Sequence, residues 1–326
     1  MFQATIGRRP LLSAILLLCV LSVISLFLGV RTVTLTGLLT GEGDQMMVFL
    51  VSRVPRLIAV LAAGTGMSVA GLIMQQLARN KFVTPSTAGT LQSAGLGILV
   101  ALLVFASATV LQKMLVAFAF ALAGAFIFML ILDSIKYKDV ILVPLVGIMF
   151  GGVISSITIF IAYRYDMIQS LNAWMVGDFS GVLRGRYEML YVAVPAIAAA
   201  YFYADRFTLA GMGETFAVNL GLKYKQIVNI GLGLVALITA AVVLTVGSIP
   251  FLGLIVPNVV SLFLGDNMRR ALPYTALLGG IFVLGGDIVG RLIIYPYEIP
   301  ISMIVGVVGS GLFIFLLLRG ERYVTS

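Results

Sequence analysis

Apolar runs of about twenty residues follow one another along almost the whole chain, each closed by a short polar or glycine-bearing break. A helix needs about 20 apolar residues to cross a hydrocarbon core of roughly 30 Å, so each run reads as one crossing. The runs fall at approximately 11–30, 48–77, 88–106, 112–132, 140–163, 187–204, 226–247, 251–265, 273–294 and 300–318. The eighth is short and carries Pro257. A membrane-spanning strand would alternate apolar and polar residues with a period of two, and none of these runs does. The pattern predicts an all-α polytopic membrane protein with about ten transmembrane helices. No linker or low-complexity stretch divides the chain, so 1–326 reads as a single integral membrane domain.

Two polar interludes break the pattern. Residues 209–226 read LAGMGETFAVNLGLKYKQ, and Phe216, Leu220 and Tyr224 fall there at i, i+4 and i+8. That spacing predicts a short helix with one apolar face, lying at the cytoplasmic surface within a segment of about 205–225. Residues 164–186 read RYDMIQSLNAWMVGDFSGVLRGR, with Ser170, Trp174 and Gly177 near helical spacing. A short interfacial helix is expected in this second interlude. Trp174, the single tryptophan, reads either as a membrane-interface anchor or as part of a helix at a pore mouth.

Composition narrows the class. With 61% hydrophobic and 10% charged residues, the chain has more apolar surface than a water-soluble core can bury. Basic residues set the orientation. With the N-terminus inside, Arg8, Arg9, Arg79, Lys81, Lys136, Lys138, Arg206, Lys223, Lys225, Arg269, Arg270, Arg319 and Arg322 fall on the cytoplasmic side, and Arg31, Arg53, Arg56, Lys113, Arg164, Arg184, Arg186 and Arg291 outside. The net charge of +8 is thus a topology signal, scattered among spans, and no nucleic-acid surface is expected. The first run exceeds the usual length of a signal-peptide core and reads as a retained signal-anchor. Cys19 is the only cysteine and there is no histidine, which removes an internal disulfide and the commonest proton shuttle and metal ligand.

Little is left for catalysis. The sequence holds no Walker A loop, no HExxH motif, no nucleophile elbow and no cysteine cluster, so no catalytic and no metal residues are assigned. Many of the 35 glycines lie inside spans, Gly286, Gly290, Gly306 and Gly309 among them, where small residues let helices pack closely. Asp287 is the one acid well inside a run, and Arg291 stands four residues on, on the same helical face. An intramembrane ion pair between them lowers the cost of both charges. Arg53 and Arg56 flank Pro55 at the outer start of the second span. They read either as snorkelling anchors or as part of an outward ring that pairs with carboxylates of a docking protein.

Four ordered segments then carry a family resemblance: RVPRLIAVLAAGTGMSVAGLIMQQLARN (53–80), LAGMGETFAVNLGL (209–222), GSIPFLGLIVPNVVSLFLGDNMRRALP (247–273) and GGDIVGRLIIYPYEIPISMIVGVVGSGLFIFLLLR (285–319). Through them nearly the whole chain resembles the FecCD permeases, the BtuC-like transmembrane subunits of type II ABC importers. Such permeases move ferric siderophores, haem or cobalamin. The resemblance implies a ten-helix subunit that works with a second permease, homologous or identical, with two cytoplasmic ATP-binding subunits and with an extracytoplasmic substrate-binding protein. No cofactor is implied on the chain itself, since ATP is used by the partner subunits.

Carried over residue by residue, ATPase coupling falls on Gly213, Glu214, Ala217, Leu220 and Gly221, and binding-protein docking on Arg53, Arg56 and Arg291. The implied location is the bacterial cell membrane, multi-pass, with both termini cytoplasmic. The chain departs from the family at RNKFVTP (79–85), where RNPLA-x-P is usual, and at Pro257, Asn258 and Ser261, where P-H-x-x-R is usual. The wording NKFVTPSTAGT and YPYEI is most similar to permeases for catechol-type siderophores. An iron–siderophore importer is therefore the expected function, with Met175 and Phe179 as candidate lining of the passage. An ion-driven secondary transporter would need more intramembrane acids or broken helices around an ion site than Asp287 alone supplies.

Overall fold

The computed structural model describes residues 8–39, 43–135 and 142–324. Among them the chain forms fourteen helices: α1 (Arg8–Phe27), α2 (Leu35–Leu39), α3 (Gly43–Leu77), α4 (Thr90–Val104), α5 (Val110–Ser134), α6 (Leu142–Arg164), α7 (Ile168–Met175), α8 (Glu188–Phe202), α9 (Ala204–Gly211), α10 (Glu214–Asn219), α11 (Tyr224–Val246), α12 (Leu252–Leu264), α13 (Met268–Leu292) and α14 (Ile301–Val324). Each of the ten apolar runs contains one long or intermediate helix. Lys136 and Lys138, assigned to the cytoplasmic side, lie outside the described residues.

The helix α3 is the axle of the bundle. Its start carries a π turn over Phe49–Arg53, and from Gly66 to Gln75 every residue is buried. The partners are α13, α11 and α12, brought close by glycine. A Cβ on Gly64 would lie 2.6 Å from the Gly279 carbonyl oxygen of α13, and one on Gly71 would overlap the Gly253 carbonyl of α12. In lipid, where burying apolar surface between helices gains little, such close backbone contact is a main source of helix association. Gly286 and Gly290 do the same for α14, since a Cβ at either would sit 2.8 Å from the side chain of Ile301 or Ile304.

Helix α12 is only 13 residues long, about 20 Å at 1.5 Å per residue, well short of a bilayer core of roughly 30 Å. Two features make this short helix viable. Pro257 has no N–H to offer the Gly253 carbonyl one turn earlier. The buried Gln75 of α3 supplies the missing donor, with Nε2 donating to Gly253 O at 3.3 Å and Leu254 O at 3.2 Å. Before α12 the chain runs irregularly from Gly247 (φ 78°) to Phe251 (φ 60°). Irregular backbone at membrane depth must find partners within the protein. It finds one at the end of α7, where Ser248 N donates to Met175 O at 2.9 Å, and the flanking helices are tied to the same segment by Asp178 N to Val246 O at 2.9 Å and Ser302 N to Gly177 O at 3.1 Å.

The two interludes are helical, with different boundaries from those expected. Ser170 and Trp174 lie on α7, but Gly177 lies beyond its end and makes the backbone tie just described. The expected Phe216–Leu220–Tyr224 stripe is corrected, because no single helix carries all three. Helix α10 stops at Asn219, and Tyr224 opens α11. The reason is turn chemistry: Gly221 adopts φ 80°, Leu222 N donates to Ala217 O at 3.0 Å and Gly221 N to Val218 O at 2.8 Å. That pair of bonds is a Schellman C-cap, which a left-handed glycine closes with least strain.

Candidate functional site

Functional side chains gather at the two ends of α3. At its first end the ninth apolar run brings Asp287 and Arg291 of α13 beside Arg53 and Arg56 of α3. Arg56 spends one edge of its guanidinium on Asp287, with Nη2 at 2.8 Å and Nε at 3.3 Å from Oδ1. The remaining nitrogen, Nη1, donates to both oxygens of Glu298, at 2.7 and 3.0 Å. Arg291 pairs with the other Asp287 oxygen through Nη2. The predicted intramembrane pair thus exists as part of a larger cluster.

Arg53 and Arg291 also hold the segment that follows α1. Arg53 donates to Leu28 O at 2.6 Å and Arg31 O at 3.1 Å. Arg291 donates to Ser25 Oγ at 2.9 Å, Ser25 O at 3.1 Å and Leu28 O at 3.2 Å. Gly29 is required beside them, because a Cβ there would overlap the Arg53 guanidinium. The three arginines are brought together as the sequence predicts, but the outward ring is corrected: Arg53 and Arg56 are 8% exposed and Arg291 3%. A charge this deep is tolerable only when paired and hydrogen-bonded, and Asp287, Glu298 and the backbone carbonyls provide that. Glu298 and Ser25 were not singled out from the sequence. The available signal was stoichiometry, since Asp287 alone is one acid for three arginines and Glu298 is the acid that follows in YPYEIP.

At the other end of α3, helices α9 and α10 form a two-helix step. Phe207, Ala210 and Ala217 are buried and hold the step to the bundle. Gln76 Nε2 donates to Thr208 O at 3.4 Å, Met268 N donates to Thr208 Oγ1 at 3.1 Å, and Arg269 pairs with Asp205. Gly213 joins the two helices with φ 115°. Of the residues carried over for coupling, Gly213 and Ala217 face inward, whereas Glu214, Leu220 and Gly221 are exposed. Met212, Phe216, Val218 and Leu220 are 56, 44, 52 and 56% exposed, giving the step an apolar outer face. Met212 and Val218 had no signal of their own because they lie off the supposed stripe. Where the family pattern has a histidine, Asn258 Nδ2 donates to Lys81 O at 2.8 Å and so ties α12 to the segment after α3. Ser261 Oγ turns to the Asn258 carbonyl at 3.0 Å.

The proposed lining pair divides. Phe179 is 1% exposed within the hydrophobic core and is corrected to a packing residue, because the tie of its neighbours to α11 and α14 pulls it inward. Met175 is half-buried beside Gly95 of α4. Trp174 is half-buried too and lines a cavity of about 390 Å³ with Asp178, Ser180, Arg186 and Thr245. Among the described residues no cluster of histidine, cysteine, aspartate and glutamate has the makings of a metal site.

Comparison with known proteins agrees with this architecture. The sequence profile of the FecCD transport family matches residues 16–319. The chain is 57% identical over 308 residues to the petrobactin import system permease protein YclN of Bacillus subtilis (strain 168), covering 94% of this chain and 98% of that protein. It is 38% identical over 298 residues to the ferric-anguibactin transport system permease protein FatD of Vibrio anguillarum, covering 91% and 95%. Among solved structures, one described as an inward-facing conformation of a metal-chelate type ABC transporter superposes with a TM-score of 0.84 at 24% identity, covering 96% of this chain and all of the other. At that identity the superposition speaks to the fold.

Proposed function

The chain belongs to the FecCD transport family and is a multi-span permease subunit of an ABC importer; from that premise we propose that it forms the passage for an iron–siderophore complex of the catechol type. The observation that carries the substrate reading is the 57% identity, over nearly the full length of both chains, to a permease named for petrobactin import. The likeness to the ferric-anguibactin permease supports the same class of cargo.

In this reading a loaded binding protein docks at the end of α3 that holds Arg53, Arg56 and Arg291. Cargo passes along the interface with a second permease chain, and two ATP-binding subunits supply the energy, since this sequence has no Walker A loop. Those subunits bear on the α9–α10 step. Glu214, Leu220 and Gly221 meet the ATPase, while Gly213 and Ala217 fix the path of the backbone that transmits the push. The step faces the cytoplasm of a bacterial cell, with both termini on the same side; Lys81, Lys223, Lys225 and Arg269 at that end support this orientation.

The test is uptake by the complete transporter reconstituted in proteoliposomes. Iron delivered as a ferric catecholate should accumulate with ATP, and no accumulation should occur with haem or cobalamin as cargo. Uptake that persists without the ATP-binding subunits and follows an imposed ion gradient would overturn the reading in favour of a secondary transporter.

A further inference from the structure

At the arginine end, the hydrogen-bond capacity of Arg56 is already used. Nε and Nη2 both point at Asp287 and Nη1 is shared between the two oxygens of Glu298. Arg53 and Arg291 commit their terminal nitrogens to Ser25, Leu28, Arg31 and Asp287, while the Nε of each is buried without an acceptor. In Arg56 every nitrogen already has a carboxylate acceptor. Yet the two carboxylates differ. The Asp287 side chain is 3% exposed and bridges two arginines from within, whereas the Glu298 side chain is 24% exposed and holds Arg56 alone. Glu298 is therefore the carboxylate of the two that can swing out toward solvent while Arg56 keeps Asp287.

We infer that Glu298 is a resident competitor for the docking carboxylate: it occupies the Arg56 site that an acidic side chain of the binding protein takes over when it docks. The inference rests on the docking reading above and adds to it the residue that sets how tightly the partner is held. The chemistry is an exchange of one carboxylate for another on the same guanidinium, so no charge is left bare at any stage. The cluster, with three arginines against Asp287 and Glu298, carries a net positive charge, which gains a partner when a second carboxylate arrives from outside. The exchange also reaches further into the fold. Glu298 lies three residues before Ile301, the first residue of α14, and its neighbour Ile299 is tied to Gly290 of α13 through Ile299 N and Gly290 O at 3.0 Å. Releasing Glu298 removes the side-chain anchor from the connection between α13 and α14.

The experiment measures binding-protein affinity for the complete transporter in lipid nanodiscs, comparing wild type with Glu298→Gln, Arg56→Gln and the double variant. Glu298→Gln keeps the side-chain shape and removes the competing charge, so the Kd should fall about tenfold. Arg56→Gln should raise it by at least about tenfold, and adding Glu298→Gln to that variant should bring no tightening. If Arg56→Gln leaves the Kd unchanged, the docking reading itself falls. If Arg56→Gln weakens docking but Glu298→Gln leaves affinity unchanged or lower, docking stands and the competitor is rejected. Should Arg56→Gln not assemble, Arg56→Lys, which keeps the charge and loses the two-edged fork, takes its place in the same comparison.

Discussion

The two ends of α3 solve opposite problems. At the arginine end, Arg56, Arg291, Asp287 and Glu298 are drawn together and paired, Arg53 is held by backbone carbonyls, and little charge is left on view. At the α9–α10 end, salt bridges such as Arg269–Asp205 and Lys81–Asp266 sit on the surface, while Met212, Phe216, Val218 and Leu220 stand out as apolar projections. The first arrangement holds its charges by directed ionic contacts and is sensitive to geometry. The second offers apolar area to a groove, which is non-directional and tolerant of small shifts. A surface that must release its partner each cycle suits the first device, and one that stays assembled suits the second.

The contrast breaks most decisively at Asp287. Asp287→Ala leaves Arg56 and Arg291 buried with their central acceptor gone. Loss of one partner of a buried pair costs about 3–5 kcal/mol, so thermal unfolding of the purified permease should show severe destabilisation. A melting temperature near that of wild type would mean that the cluster is solvated and the contrast false.

Next in size is Glu214→Arg, which reverses a charge at the exposed start of α10 without touching the core. Uptake by the reconstituted transporter should drop by at least about tenfold, while the melting temperature of the permease stays within a degree or two. Normal uptake in this variant would remove the step from the coupling path.

The smallest effect is expected for Arg269→Ala. Its pair with Asp205 has side chains 61 and 55% exposed, and solvent screens such pairs so that they contribute little. Stability should barely change. A loss comparable to that of Asp287→Ala would show that exposure does not divide the two ends.

The spans were legible because run length alone identifies a membrane helix, and the Asp287–Arg291 pair because i, i+4 spacing fixes a shared face. Spacing along a helix gives a residue's depth but not what lies across from it. Arg56 was therefore pointed the wrong way, since the acids that turn it inward come from more than 200 positions later in the chain, and so was Arg53, whose acceptors are the carbonyls of Leu28 and Arg31. The role of Gln75 was hidden for the same reason: its partners are carbonyls freed by Pro257, on a helix that α3 meets only in the folded bundle. Phe216, Leu220 and Tyr224 failed differently. Their period was real, but Gly221 ended the helix between the second and third, and a stop signal should have outranked a period.

The tie of the end of α7 and the segment after it to the end of α11, the stretch before α12 and the start of α14 is made entirely of main-chain atoms: Met175 O, Gly177 O and Asp178 N on one side, Ser248 N, Val246 O and Ser302 N on the other. Of these positions only Gly177 is fixed by space, because a Cβ there would overlap the Ser248 carbonyl. The side chains of Met175 and Asp178 take no part in that tie: Met175 packs beside Gly95, and Asp178 accepts from Ser180 N at 2.9 Å. A chain built this way can alter what it presents near the cavity beside Trp174 by point substitution, without renegotiating how its helices are joined.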